Sequence, residues 1–255
     1  MSDKTRGVIY CVVHSPRHLK LAVQSAKSLK HHMPKLSVTL FTDLAPPDSP
    51  YFDVVEQLPP ISPLQRQNKM AAMLQAPYDS FVLLDADTRV CGAFWEVFEL
   101  VENPRVDFAA VPIHDWPRQR EGCPWMYEED GIPDVFPFFS CGFVAIRRNV
   151  RTIAFLEEWE YRYRWMLEKA GVAKTSSAIY SNEPAMRVAL FRHPNVRIAP
   201  LPRRYNFKQH GIVTHNVVIL HKKASEGELE NMEHAVNAGA GRARVICWGE
   251  EKIRL

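Results

Sequence analysis

The sequence predicts an α/β fold in which helices flank a mostly parallel central sheet. Three observations carry the prediction. Short apolar runs at residues 7–13, 36–42 and 81–84 alternate with amphipathic stretches of helical length. The run at 81–84 is apolar at every position, as expected of a strand covered on both faces. A chain of 255 residues with 46% hydrophobic content can build one sizeable core.

Taken in order, residues 7–13 (GVIYCVV) form a β-branched first strand that ends at His14-Ser15-Pro16. Residues 17–32 place Leu19, Ala22, Val23, Ala26 and Leu29 on one helical face. Residues 36–42 (LSVTLFT) are the second strand, ending at Asp43, and this β-α-β order predicts a right-handed crossover. Proline clusters at 45–50 and 58–63 are loops that bracket a short strand at 52–56. A helix carrying Lys69 closes at Pro77 and feeds the strand 81–84. Beyond it come a helix at 94–101 and a strand at 106–112.

Residues 113–139 are a long stretch with Trp116, Trp125, Tyr127, Phe136, Phe138 and Phe139 among Pro, Gly and acids. Loops of this length are usually functional, and it is too aromatic for disorder. Its rings either stack on sugar faces or fold under the loop as a satellite core. Strand returns at 140–147 and a charged helix at 150–170. Another helix begins near Asn182, a good N-cap, with Pro184 in its first turn. A strand at 216–223 (NVVILHKK) and a helical stretch at 226–238 follow.

The chemistry concentrates at residues 81–90, FVLLDADTRV. Asp85 and Asp87 stand two apart just past the carboxyl end of a buried strand, the place where open α/β sheets bind ligands. Two hard oxygen donors there suit Mg²⁺ or Mn²⁺ shared with a phosphate. A bare D-x-D is a weak signal, with about one chance match in a chain this long.

Its context is more specific. The helix with Lys69 followed by PYDSFVLLDADTRV closely resembles the centre of the GT-A glycosyltransferases, most of all the glycogenin and lipopolysaccharide galactosyltransferase group (family 8). The resemblance implies a single GT-A-like domain over 1–255, with a nucleotide-binding half at 1–112, a sugar and acceptor half at 113–223 and an extension at 224–255. It implies that Asp85 and Asp87 hold a divalent metal on the diphosphate of a nucleotide-sugar donor, a UDP-sugar being favoured. His221, in a segment resembling the family's strand before a metal-binding histidine, completes the set. Ser140-Cys141-Gly142 stands where the family has Asn-Ala-Gly or Asn-Ser-Gly against the donor sugar. Asn182-Glu183 stands where it has Asp-Gln beside the reacting carbon, and residues 198–207 (IAPLPRRYNF) resemble its Leu-Pro…Tyr-Asn segment. The family's Gly and Lys-Pro-Trp after the histidine are absent, leaving Lys222 or Lys223 with Lys69 for the phosphates. His14 and Asp43, at the ends of the first two strands, are expected near the nucleotide. The activity implied is hexosyl transfer with retention of configuration to a hydroxyl of a glycan, lipid-linked sugar, protein or small molecule.

Composition excludes several classes. A net charge of +3 without long basic runs does not suit a nucleic-acid binder. No apolar run approaches the ~20 residues of a membrane span, and the N-terminus is not patterned as a signal peptide. Five cysteines (Cys11, Cys91, Cys123, Cys141, Cys247) with no C-x-x-C pair point to a reducing compartment, the cytoplasm, free or peripheral to a membrane. No G-x-G-x-x-G or G-x-x-x-x-G-K-[ST] occurs. VLLDADTRV also fits the haloacid dehalogenase phosphatase pattern, in which the first Asp attacks phosphorus. A third reading is a GT-A domain that binds nucleotide-sugar without transfer.

Overall fold

A computed structural model describes residues 5–60, 65–113, 124–169, 181–208, 210–222, 224–238 and 241–247. The first strand, β1 (Arg6–Val12), leads into α1 (Pro16–His32), whose N-cap Ser15 accepts from the His18 amide and whose first position is Pro16. Then come β2 (Ser37–Thr42), β3 (Val54–Gln57), α2 (Gln65–Leu74), β4 (Ser80–Leu84), β5 (Thr88–Val90), α3 (Trp95–Glu102) and β6 (Phe108–Pro112). The second half holds α4 (Pro124–Glu129), β7 (Phe139–Arg147), α5 (Val150–Lys169), α6 (Glu183–Arg192) and β8 (Ile198–Pro200). A 3₁₀ turn (Arg203–Tyr205), β9 (His210–Val213), β10 (Ile219–His221), α7 (Glu226–Asn237) and β11 (Arg244–Cys247) complete it.

Seven strands form the central sheet in the order β3-β2-β1-β4-β7-β6-β8. The first four are mutually parallel, as the β-α-β lengths predict. β7 departs from that pattern, running antiparallel to both β4 and β6. Alternate residues of the central strands enter opposite cores. On one face Ile9, Phe81, Leu83 and Val144 meet Met70, Phe155, Trp159 and Met186 of α2, α5 and α6. On the other, Val8, Tyr10, Val82, Leu84 and Phe143 meet Ala22, Leu29, Val97 and Phe98 of α1 and α3. Both faces being covered explains why these strands read as continuous apolar runs.

A separate antiparallel ribbon of β5 and β10 stands next to the sheet, with Thr88 opposite His221. α7 begins with a capping box, Ser225 and Glu228. Leu229, Met232 and Val236 of this helix bury a third core with Phe207, Val213, Val217 and Leu220. Arg89 of the ribbon donates to Glu233 of α7 at 2.6 Å, and Asn237 bonds both backbone groups of Val217. The C-terminal stretch therefore braces the ribbon. β9 pairs with β11, a pairing the sequence pattern does not announce.

At the opposite end of the sheet Asp107 is fully buried and accepts bonds from Arg147, Arg151, Arg197 and Asn149. It ties the starts of β6 and β8 to the end of β7. Of the aromatic loop, Tyr127, Phe138 and Phe139 are buried, and half-buried Phe136 packs edge-on against Phe191. Trp116 lies outside the described residues. Cys11, Cys91 and Cys141 are free thiols.

Candidate functional site

β4 delivers Asp85 to the carboxyl end of the sheet, where its amide donates to Gly142 O at 3.1 Å. The turn after it is pinned from below. Thr88 Oγ1 donates to Asp85 O at 2.7 Å and lies 2.8 Å from Ser25 Oγ, which is 2.9 Å from the Tyr10 hydroxyl. The β5–β10 pairing then brings His221 beside Asp87. Its Nε2 lies 3.2 Å from Asp87 Oδ1 and 3.6 Å from Asp85 Oδ2. One donor atom from each of the three residues falls within 4.8 Å of the others. Two carboxylates and an imidazole at this spacing fit a divalent cation of the Mg²⁺ or Mn²⁺ type.

Lys69 of α2 places its ammonium on Asp85. Burial alone would lower the lysine's pKa, but the attraction of Asp85 and the bond to it outweigh that, so the net shift is upward. The ammonium is a fixed positive charge beside the two acids. Cys141 packs its sulfur 3.8 Å from Met186 Sδ, and burial first, then Glu183, push its thiol well above the ordinary range. It is a neutral packing group, not a nucleophile. Cys11, pushed up to about 12 by burial with Asp43 and Asp85 adding, lies between the strand ends that carry those acids.

Those strand ends hold His14 and Asp43. His14 has a φ of 60°, uncommon for a residue with a Cβ. Asp43 over-determines the conformation by accepting from the His14 amide at 2.8 Å and lying 2.8 Å from Nδ1.

Asn182 occupies the cap position of α6, but its φ of −83° and ψ of −6° are helical and its side chain makes no cap bond. Its backbone carbonyl is taken instead, by Trp159 Nε1 at 3.0 Å and the Met186 amide at 3.1 Å. Among the described residues its buried Nδ2 has no partner. Glu183 is half-buried on the first turn, close enough for its charge to act on Cys141 and on Tyr163. The Tyr163 hydroxyl is pushed up to about 12, by burial first and by Glu183, against Arg66 and Lys69.

The structure thus brings together Asp85, Asp87, His221, Lys69, Ser140 and Gly142, with Cys141 and Glu183 alongside. Lys222 is half-buried, its amide donating to Asp87 O at 3.0 Å, and Lys223 lies outside the described residues. The residue that sequence reasoning missed is Asn206. It is 4% exposed and lies between Ser140 and His221, and only the Tyr-Asn resemblance marked its neighbourhood.

No protein-family model matches the chain, and no curated protein matches its sequence. Solved structures do match its fold. A galactosyltransferase, LgtC, crystallised with donor and acceptor sugar analogs, superposes with a TM-score of 0.54 at 11% identity, over 90% of this chain and 96% of that one. Mouse xyloside xylosyltransferase 1 gives 0.53 at 13% identity, covering 86% and 98%. The glycosyltransferase GlyE of Streptococcus pneumoniae TIGR4 gives 0.52 at 14%, over 88% of this chain and 55% of that one. The architecture built above, with its acid pair at the end of β4, is the GT-A fold of these glycosyltransferases.

Proposed function

We propose that the protein is a metal-dependent glycosyltransferase that moves a sugar from a nucleotide-diphosphate sugar to a hydroxyl acceptor. The observation that carries the reading is the convergence of Asp85, Asp87 and His221 at the end of β4, with the Lys69 ammonium against them. The two carboxylates and Nε2 of His221 would hold Mn²⁺ or Mg²⁺. The ion would supply Lewis-acid neutralisation of the charge on the departing diphosphate. Lys69, with Lys222 or Lys223, adds preorganised positive charge for the same oxygens. His14 and Asp43 receive the nucleotide, and the stretch at Ser140, Cys141 and Gly142 lies toward the donor sugar. We read residues 1–255 as one domain.

Transfer proceeds with retention in this reading. The acceptor oxygen bonds to the anomeric carbon as the bond to the diphosphate oxygen breaks, and that oxygen takes the hydroxyl proton on the same face. Asn182 and Glu183 lie beside the sugar, with the Glu183 carboxylate stabilising positive charge as it develops. The likeness to glycosyltransferases of known structure supports this over the phosphatase alternative. No helix among the described residues is long and apolar enough to cross a membrane.

The test is a thermal-shift panel of UDP-, GDP- and CMP-sugars with and without Mn²⁺. A donor at a hundred times its Kd adds about 2.7 kcal/mol, and the UDP-sugars should do so only with metal. A panel without any metal-dependent shift, together with sugar transfer undiminished in EDTA, would refute the proposal.

A further inference from the structure

Two buried polar residues behind the acid pair form a relay to half-buried His221. Ser140 is 2% exposed and Asn206 4%. Asn206 Nδ2 donates to Ser140 Oγ at 2.6 Å, and the Gly142 amide approaches the same oxygen at 3.4 Å. The amide's nitrogen end is thereby tied to Ser140, so its oxygen end faces His221 Nδ1, 2.8 Å away. A carbonyl oxygen only accepts, so Nδ1 must carry the proton. Nε2 lies 3.2 Å from Asp87 Oδ1 and 3.6 Å from Asp85 Oδ2, and when a cation between them takes its lone pair, the proton on Nδ1 is the ring's only one. Adjacent ligands of an octahedral Mg²⁺ lie about 3 Å apart, from its bond lengths of ~2.1 Å. Nε2 lies near that spacing from an oxygen of each carboxylate.

Gly142 leaves the space in which the relay sits. A Cβ there would meet His221 Nδ1 at 2.4 Å and Asn206 Nδ2 at 3.2 Å. The sequence therefore pairs a glycine with a short hydroxyl: Gly142 admits the imidazole, and Ser140 reaches the amide that orients it.

We propose that Asn206 and Ser140 are positioning residues that set the tautomer of His221, presenting Nε2 to the cation held by Asp85 and Asp87. The inference rests on the metal-site reading above. It also gives Ser140 a task directed at the metal ligand.

Two measurements test it without activity. In Mg²⁺-loaded protein, ¹⁵N NMR of the His221 ring should show a proton on Nδ1 in slow exchange, protected by Asn206. In Asn206→Leu that protection should vanish. Mn²⁺ titration followed by EPR should show about 10–100-fold weaker binding in Asn206→Leu, as for loss of other outer partners of metal-bound histidines. Ser140→Ala should weaken binding less, and Asn206→Asp, which keeps an acceptor for Nδ1–H, should hold wild-type affinity. The melting temperature of the metal-free proteins shows that each variant folds. An unprotonated Nδ1 in the loaded wild type, or wild-type Mn²⁺ affinity in folded Asn206→Leu, overturns the proposal. Wild-type protein that binds no Mn²⁺ at all would instead overturn the metal-site reading on which it stands.

Discussion

Adding a single methyl group at Gly142 should separate the metal site from the fold around it. The backbone at Gly142 does not lie in the left-handed region, so alanine carries no conformational penalty and the effect is purely steric. The new Cβ would stand 2.4 Å from Nδ1 and 2.5 Å from Cε1 of His221, where ordinary contact begins at 3.4 Å. The imidazole must move by about 1 Å, five times the ~0.2 Å that a metal ligand tolerates. It cannot simply slide, because Asn206 holds Nδ1 and the backbone of His221 is paired with Thr88. Overpacking of this kind costs about 2 kcal/mol, or roughly 4–8 °C in Tm for a chain of this size. Mn²⁺ affinity, by calorimetric titration, should fall at least ~10-fold. The double variant Gly142→Ala/His221→Ala should regain most of the lost Tm, since the clashing ring is gone, yet bind metal no better than His221→Ala. A single variant with wild-type Tm and wild-type affinity would refute the placement of the ring against Gly142. So would a double variant whose Tm losses simply add.

Asp87→Asn should leave Tm of the metal-free protein unchanged and lower transfer by about 10²–10³, as for one lost preorganised electrostatic contact; full activity would discard Asp87 as a ligand. Glu183→Gln should keep substantial transfer with the anomeric configuration of the first-formed product still retained by NMR. An inverted product, together with loss of transfer in that variant, would make Glu183 a base. Asp107→Asn strands three arginines around a site that is 0% exposed, and should cost about 3 kcal/mol in urea denaturation. Acid should act through the same residue. Burial pushes the Asp107 carboxyl up, but the bonds from Arg197, Arg151 and Arg147 outweigh it and hold its pKa far below the usual range. Its stabilisation is therefore complete above about pH 4 and is lost as pH falls below that toward the depressed native value. Asp107→Asn should flatten this acid limb, and an unchanged pH–stability curve would show that the network contributes nothing.

How much of this was legible in the sequence depended on distance along the chain. Runs such as GVIYCVV and FVLL announced themselves because both faces of their strands are buried, so no polar residue interrupts them. Helix α7 was legible as a helical stretch at 226–238, although its task was not. The antiparallel direction of β7 was hidden, because residues 113–138 before it carry no period from which a crossover could be read. β5 is three residues long and exists only because Ile219–His221 pairs with it, which no local pattern encodes. In the site, the acid pair was legible from its place after an apolar strand. His221 was singled out by resemblance. Asn182 looked like a capping residue by type, but Trp159 takes its carbonyl and the backbone never leaves the helical region. Asn206 was touched only by the Tyr-Asn resemblance, and its task appears only when folding sets it between a serine and a histidine.

The ribbon of β5 and β10 has a consequence for biosynthesis. Asp85 and Asp87 emerge from the ribosome before His221, which follows Asp87 by 134 residues and ends the strand that pairs with β5. Strands β1 to β4 and Lys69, the partner of Asp85, all precede Asp87 in the chain. The ligand set stays incomplete until residue 221 has been made. A truncated product ending before residue 221 would keep the acids and the lysine but lack the imidazole and the strand that aims Asp87. Prematurely terminated chains are thus barred from forming the complete three-residue metal site.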